Sequence, residues 1–422
     1  MTDIPFPRGV RDLLPNEALF RNELLRKVEN VFRLFGFLTI DTPSFESLKV
    51  LKAKDAIGAD TKLIYEMKDE QLGLRYDNTM SLARYIAMHQ ELPMPFKRYY
   101  IGKSWRREEP QRLRYREITQ ADADIIGGNR AMADAEVIAA AGAVLDSIGI
   151  KYEICINDRQ LMDRVIEKFG VGKDKVIGVM RALDKFEKIG EDGVVKALNE
   201  LGIESAAVDQ IMEFVGQEGT NEDRMSYVEK LVGEDATKDL KTTLELLKGY
   251  GIRGEPSVDF STVRGLDYYT GIVFEYRKME MRDASLGGGG RYDNLIGIFS
   301  TKPMTAVGVA LGIDRILEAL DFSSSIEYTY AKVFIANVKE GNYKYAISIA
   351  SAFRAKGVAV DMNMASRNLS NQLAYANAIK TKYVAIVGDS EEKMGKLKLR
   401  NLVDGNEETV SVDDAVKIVK GE

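Results

Sequence analysis

The hydrophobic period of this chain changes repeatedly along its length, and that succession restricts the fold more than any single motif does. From about Leu19 to Phe35, the residues Leu24, Val28, Val31 and Phe32 fall on one helical stripe, which Gly36 stops. "FLTIDTPSFE" reads as a strand broken by Pro43. From Lys62 to Asp124 short strand-like runs alternate with polar punctuation around a helix near Thr79 to Met88, the spacing of a meandering antiparallel sheet. Residues 161–250 then turn entirely to amphipathic helical segments such as "VVKALNEL". Strands return in "PSVDFSTVRGLDYYTGIVFEYRKMEMRDASLGGGG", and "TAVGVALGIDRILEAL" passes from strand to helix near Gly312. Beyond the polar stretch "DFSSSIEYTY", continuous apolar strands alternate with helices, which predicts a small α/β domain on a mixed, largely parallel sheet.

These shifts divide the 422 residues into two expected domains. Residues 1–325 read as an α+β domain, an antiparallel sheet flanked by helices and interrupted by the helical insertion at 161–250, and residues 326–422 as the α/β domain. No apolar run approaches the roughly 18 residues that span a bilayer, and "MTDIPFPRGVRDLLP" lacks the basic start and apolar core of a signal peptide. No membrane partner and a cytoplasmic location are therefore expected. One cysteine, Cys155, and one histidine, His89, make no Cys/His metal constellation, so a metal would be a hard cation brought by a phosphate ligand. Cys155 in "YEICIN" reads as a core thiol and His89 as a helix-end residue. A net charge of -6 argues against a nonspecific coat for nucleic acid, while a local basic patch can still bind it.

Such a patch lies between Lys97 and Glu117, where Lys97, Arg98, Lys103, Arg106, Arg107, Arg112, Arg114 and Arg116 face only Glu108, Glu109 and Glu117. Arginine forks suit phosphate oxygens and the charge that builds up during phosphoryl transfer; a solvated hairpin of surface ion pairs is the competing reading. "STVRGLDYYTG" (261–271) offers a cation, a carboxylate and two phenols on a strand, fit for a small substrate with a carboxylate and a ring, or equally for aromatic cross-strand packing. "LGGGGRYDNLIGIF" (286–299) accepts four glycines in a row, either as a turn or because something lies close against the main chain.

Taken together, these segments resemble a known family. "SWRREEPQRLRYREITQADADIIG" is similar to motif 2 of the class II aminoacyl-tRNA synthetases and "AVGVALGIDRI" to their motif 3, while "ESLKVL" after "DTPSF" stands in the place of motif 1. "VRGLDYYTG" and "GGGGRYDNL" resemble the two peptides characteristic of histidyl-tRNA synthetases, and the likeness runs from about Phe6 to Val419. Asp124 and the "RYD" triplet look like the archaeal and eukaryotic type. The resemblance implies a class II catalytic domain followed by a C-terminal anticodon-binding domain. It implies activation of L-histidine by ATP with Mg2+, transfer of the histidyl group to tRNA(His), and a homodimer formed around motif 1.

By the same resemblance, Arg106 would hold the α-phosphate, Glu108 face the adenine and Arg114 reach the outer phosphates. Arg315 would cover the adenine, and Arg264 would sit between the histidine carboxylate and the α-phosphate; Arg264 and Arg106 are the catalytic pair. Asp77, Thr79 and Gln120 would surround the histidine ammonium, and Asp124, Tyr268, Tyr269 and Tyr292 its imidazole. In this reading the glycine tract lets the main chain lie against the substrate, with Tyr292 closing that wall. Two positions depart from the common pattern. Trp105 stands where a phenylalanine or tyrosine is frequent, and Asp314 stands where a glutamate is usual, on the side where Mg2+ would be held. Two other readings share the fold. A regulatory subunit of histidine biosynthesis typically lacks the C-terminal domain and several pocket residues, and a nonenzymatic tRNA-sensing paralogue has a degraded ATP site or added signalling domains.

Overall fold

Helix α1 (Pro15–Leu34) begins with a proline, whose missing N–H is not needed in a first turn, and buries Leu24, Val28 and Phe32, while Val31 stays half-buried. Gly36 then turns the chain at φ 76°. A computed structural model describes residues 4–421 apart from 54–57, 264–267, 280, 321–328 and 366. They form two compact units, one of residues 1–11 and 24–321, the other of residues 12–23 and 322–422.

Pro43 does break the next strand, and its halves enter different sheets: β1 (Leu38–Thr39) joins the large sheet and β2 (Phe45–Ser47) a small one. In the small sheet β2 and β3 (Tyr65–Glu66) both pair antiparallel with β4 (Leu72–Leu74), next to the short helix α2 (Leu48–Leu51), which packs on α3 (Thr79–Met88). The large sheet adds β5 (Phe96–Trp105), β6 (Glu117–Ile126), β7 (Tyr152–Asp158), β8 (Pro256–Val258), β9 (Ile272–Lys278), β10 (Met281–Arg291) and β11 (Ala306–Gly312). Its order is β1-β5-β6-β11-β10-β9-β7-β8. The central strands β5 to β7 are all antiparallel, as the spacing predicts, but β1 and β8 pair parallel at the two edges. The chain between β1 and its partner β5 includes α2 and α3, and the chain between β7 and β8 includes the helices of residues 159–248; such crossovers permit parallel pairing where a hairpin would not.

Helix α4 (Arg130–Ser147), capped by the Asn129 side chain, is buried on nearly every face and rich in alanine, which lets it lie close to β6 and β11. The expected insertion is filled by α5 (Arg159–Lys168), α6 (Lys173–Leu183), α7 (Phe186–Glu200), α8 (Ser205–Val215), α9 (Asn221–Val232) and α10 (Lys238–Lys248), of which α10 packs back on α4. Strand β11 runs directly into α11 (Ile313–Ala319) at Gly312.

The second unit holds β12 (Val333–Asn337), α12 (Tyr343–Ala355), β13 (Val360–Met362), α13 (Leu369–Ala378), β14 (Tyr383–Val387), α14 (Asp389–Met394), β15 (Leu397–Asn401), β16 (Glu407–Val410) and α15 (Val412–Lys420). The first three strands are parallel in the order β13-β12-β14, and β15 and β16 extend the sheet antiparallel. Alternation along β12 sends Val333 and Ile335 to the core under α12 and α15, and Phe334 and Ala336 to the core under α13.

Candidate active site

The glycine tract is no turn. Gly287, Gly288, Gly289 and Gly290 lie in mid-strand in β10, paired with β9 on one side and with Leu311, Ala310, Val309 and Gly308 of β11 on the other. A Cβ at Gly289 would come within 1.9 Å of the Gly308 carbonyl oxygen, and one at Gly308 within 1.9 Å of Asp124 Oδ1. The glycines therefore permit close approach of strands and side chains, and the space so kept open is a cavity.

Two cavities adjoin there. The first is lined by Asp77, Thr79, Gln120, Asp122 and Asp124, by the rings of Tyr268, Tyr269 and Tyr292, and by Gly288, Gly289 and Gly308. The second is lined by Glu108, Arg114, Asp314 and Arg315 with Ser285 and Gly287. Arg106, Gln120 and Ala310 border both, so the two meet along a shared wall.

The first cavity is built to receive positive charge. Asp77 stands just before α3, where its Oδ1 accepts from the amides of Thr79 (3.1 Å) and Met80 (3.2 Å), while its buried Oδ2 has no hydrogen-bond partner. Burial raises its pKa, against those amides and Arg106. Alternation along β6 puts Gln120, Asp122 and Asp124 on one face. Gln120 Oε1 and Asp122 Oδ1 are likewise buried without partners. Asp124 pairs with the buried Arg98, whose Nη2 lies 2.6 Å from Oδ2, and accepts from the Tyr292 hydroxyl at Oδ1. Burial raises Asp124 in spite of Arg98, and it keeps the Tyr268 and Tyr292 phenols protonated. Tyr268 packs edge-on to Tyr292 at 5.9 Å and against Tyr269 at 4.9 Å.

The second cavity is basic. Arg106 Nε donates to the Tyr76 carbonyl (3.0 Å), and Arg315 Nη1 to the Ser285 carbonyl (2.8 Å). Glu108 and Arg114, both lining this cavity, form an ion pair at 2.8 Å. Asp314 is engaged at both oxygens, by Arg11 (2.9 Å) and by the Thr119 amide (2.7 Å). Among the described residues no three His, Cys, Asp or Glu side chains converge to hold a metal ion. Held in this way, Asp314 ties α11 to β6.

A sequence model of histidyl-tRNA synthetases matches residues 9–316, and one of an anticodon-binding domain matches residues 332–422. The histidine–tRNA ligase of Korarchaeum cryptofilum is 40% identical over 398 residues, covering 92% of each chain. This chain belongs to the histidyl-tRNA synthetase family. The histidine–tRNA ligase of Aeropyrum pernix is 37% identical, covering 98% of this chain and 97% of its own. The crystal structure of histidyl-tRNA synthetase from Nostoc sp. PCC 7120 superposes with a TM-score of 0.86 at 26% identity, over 100% of both chains.

Of the residues that resemblance to this synthetase family singles out, Asp77, Thr79, Gln120, Asp124, Tyr268, Tyr269 and Tyr292 border the first cavity, and Glu108, Arg114 and Arg315 the second, with Arg106 between. Arg264 lies outside the described residues. Tyr268 and Tyr269 sit in a loop before β9 rather than on a strand. That loop is tied instead by Thr270, whose amide donates to the Arg291 carbonyl (2.7 Å) and whose Oγ1 accepts from the Asp293 amide (3.0 Å). His89 caps the end of α3 beside Tyr85 and Cys155 is buried in β7, and neither borders the two cavities.

Asp122 is the residue that reasoning from sequence passed over in this synthetase, although the alternation in "QADAD" carried the signal. Asn78 Nδ2 donates to its Oδ2 (2.6 Å), and burial, reinforced by Asp124 and Asp77 and opposed by Arg98, pushes its pKa from 3.8 up to about 7. An acid raised in this way binds its proton more tightly folded than unfolded. Stability therefore declines as pH rises from about 4 to about 7, and the deficit is complete above that. Asp122→Asn removes the deficit. Thermal melts of the variant are expected to lie a few degrees above the unaltered chain at pH 8 and to coincide with it near pH 4; a variant that melts lower at pH 8 refutes this.

Proposed function

We propose that the chain joins L-histidine to ATP and passes the histidyl group to the 3' end of tRNA(His). A carboxylate oxygen of histidine attacks the α-phosphorus, the bond from that phosphorus to the bridging oxygen breaks, and pyrophosphate leaves. A ribose hydroxyl of the terminal nucleotide then attacks the carbonyl carbon of the adenylate, and AMP departs. No protein nucleophile is needed; alignment and charge neutralisation supply the catalysis. The observation that carries the reading is the pair of cavities meeting at Arg106 and Gln120, one with unpartnered buried acceptors and phenols, the other with arginines. Histidine would place its ammonium against Asp77 and Gln120 and its ring among Asp124 and the tyrosines. ATP would lie along Glu108, Arg114 and Arg315 with its α-phosphate at Arg106. Mg2+ would be carried by the phosphates. Acceptors left unpaired by an apolar amino acid are costly, so selection works by polar mismatch.

The anticodon-binding domain supports tRNA as the second substrate, and a cytoplasmic site of action belongs to the same reading. Apolar side chains left in water near the motif 1 segment, at Leu34 (86% exposed), Leu38 (63%) and Phe45 (52%), support a homodimer formed there. The losses expected of the regulatory subunit, and the degraded ATP site that is one mark of the sensor, run against the polar residues of both cavities and the second unit, which are present.

The test is exchange of labelled pyrophosphate into ATP, which is expected only when L-histidine is added. Arg264→Ala is expected to cut that exchange at least about tenfold without lowering the melting temperature. Equal exchange with other amino acids, or with none, refutes the assignment, and no exchange at all favours the sensor.

A further inference from the structure

We propose that Asp122 is a specificity-determining residue, the third acceptor for the α-ammonium group of the amino-acid substrate, completing a site with Asp77 and Gln120. The inference rests on the activation reading above. An ammonium has three N–H donors. Among the described residues, four buried acceptor oxygens of the first cavity lack a hydrogen-bond partner; Asp124 Oδ2 faces Arg98 at 2.6 Å, which leaves three, Asp77 Oδ2, Gln120 Oε1 and Asp122 Oδ1, for a ligand. Unsatisfied buried acceptors are expensive and scarce in folded proteins, so three around one small cavity point to a ligand that supplies the donors.

The order of residues along β6 says which part of the ligand faces Asp122. Gln120 borders both cavities and so marks the end where the reacting carboxylate, and the ammonium on the adjacent carbon, must lie. Asp124 borders only the first cavity and is already committed to Arg98 and Tyr292, which marks the ring end. Asp122 stands between them on the same face. Its other oxygen is held by Asn78, the neighbour of Asp77 in sequence, and Ser104 Oγ in turn donates to Asn78 Oδ1 (3.4 Å). That chain of bonds fixes the Asp122 carboxylate in the cavity that Asp77 also lines. Three carboxylates beside the cations Arg98 and Arg106 leave room for one more positive charge, which the ammonium provides.

The full-length chain and its Asp122→Asn variant would be titrated calorimetrically with L-histidine and with 3-(imidazol-4-yl)propanoate, which keeps the ring and carboxylate and lacks the ammonium. The substitution is expected to weaken histidine roughly 10- to 100-fold, the scale of a lost hydrogen bond to a charged group. It should leave the deamino compound within about twofold. Asn78→Ala, which releases Asp122 without changing the charge of the cavity, serves as a second variant and should weaken histidine in the same selective way. Equal weakening of both ligands would mean that Asp122 serves the ring or the fold, and unchanged histidine affinity that it makes no contact; either overturns the proposal. Failure of the unaltered chain to bind histidine would instead sink the activation reading itself.

Discussion

Arg106→Ala is expected to lower histidine-dependent pyrophosphate exchange by about two to three orders of magnitude, the scale on which one preorganised charge-stabilising group acts. Arg106 is half-buried on the wall common to both cavities, with its Nε fixed by the Tyr76 carbonyl at 3.0 Å. That bond sets the plane of the guanidinium on the wall where, in the proposed reaction, the carboxylate and the α-phosphate would meet. Its charge is worth most when negative charge gathers on the phosphorus oxygens, so the loss should fall mainly on the rate at saturating substrate. Arg106→Lys is expected to recover only part of it, because a point charge cannot hold two oxygens at once. Among the described residues the side chain makes no ion pair, and its charge only eases the burial of Asp77, so the melting temperature should fall by no more than a few degrees. An exchange rate within about threefold of the unaltered chain would remove Arg106 from the chemistry.

The largest loss of stability is expected from Arg291→Ala. Arg291 is 1% exposed and forms a two-pronged bond to Asp134, with Nη2 at 2.7 Å from Oδ1 and Nε at 3.2 Å from Oδ2. It also donates to Asp293 Oδ1 (2.9 Å) and to the Arg130 carbonyl (2.9 Å). The same Asp293 oxygen accepts from the Ala306 amide (2.9 Å), so one buried knot joins β10, β11 and α4 on either side of Tyr292. Deleting one partner strands the other carboxylates, which costs about 3–5 kcal/mol. Burial pushes Asp134 up to about 6 even with Arg291 beside it, and higher without it. The variant's deficit should therefore be larger at pH 8, shrink as its own Asp134 takes up a proton on the way down toward about 6, and level off below that, where Asp134 of the unaltered chain is protonated too. Urea unfolding at pH 8 and at pH 5.5 checks both magnitude and sign. Arg291→Met combined with Asp134→Leu should recover part of the loss, since an apolar pair leaves no charge stranded. A deficit that grows on acidification would refute the account.

Some of this was legible in advance. Helix α3 begins and ends where the pattern sets it, at Thr79 and Met88, and the change from strand to helix at Gly312 falls at the junction of β11 and α11. Both are local matters of period and end signals, decided within a turn or two of chain. The parallel edge strands were not legible, because β1 and β8 are two and three residues long and carry no pattern of their own. The glycine tract permitted two local answers, and the choice between them lay with Gly308 and Asp124, on strands distant in the chain.

What the residues alone determined is the sequence of elements; for the arginines around "WRREEP" they left phosphate binding and a solvated hairpin both open, and the acceptor roles came from the family resemblance. Hydrophobic period, capping and side-chain chemistry are properties of short segments, and they survive any rearrangement of those segments. Only the tertiary structure decided that Arg106 and Gln120 border two cavities at once, that Asp314 is bound by Arg11, and that Asp122 keeps an oxygen unpartnered. Burial and the absence of a partner depend on every neighbour that could have filled the space, and those neighbours come from β5, β6, β10, β11 and the start of α3 together.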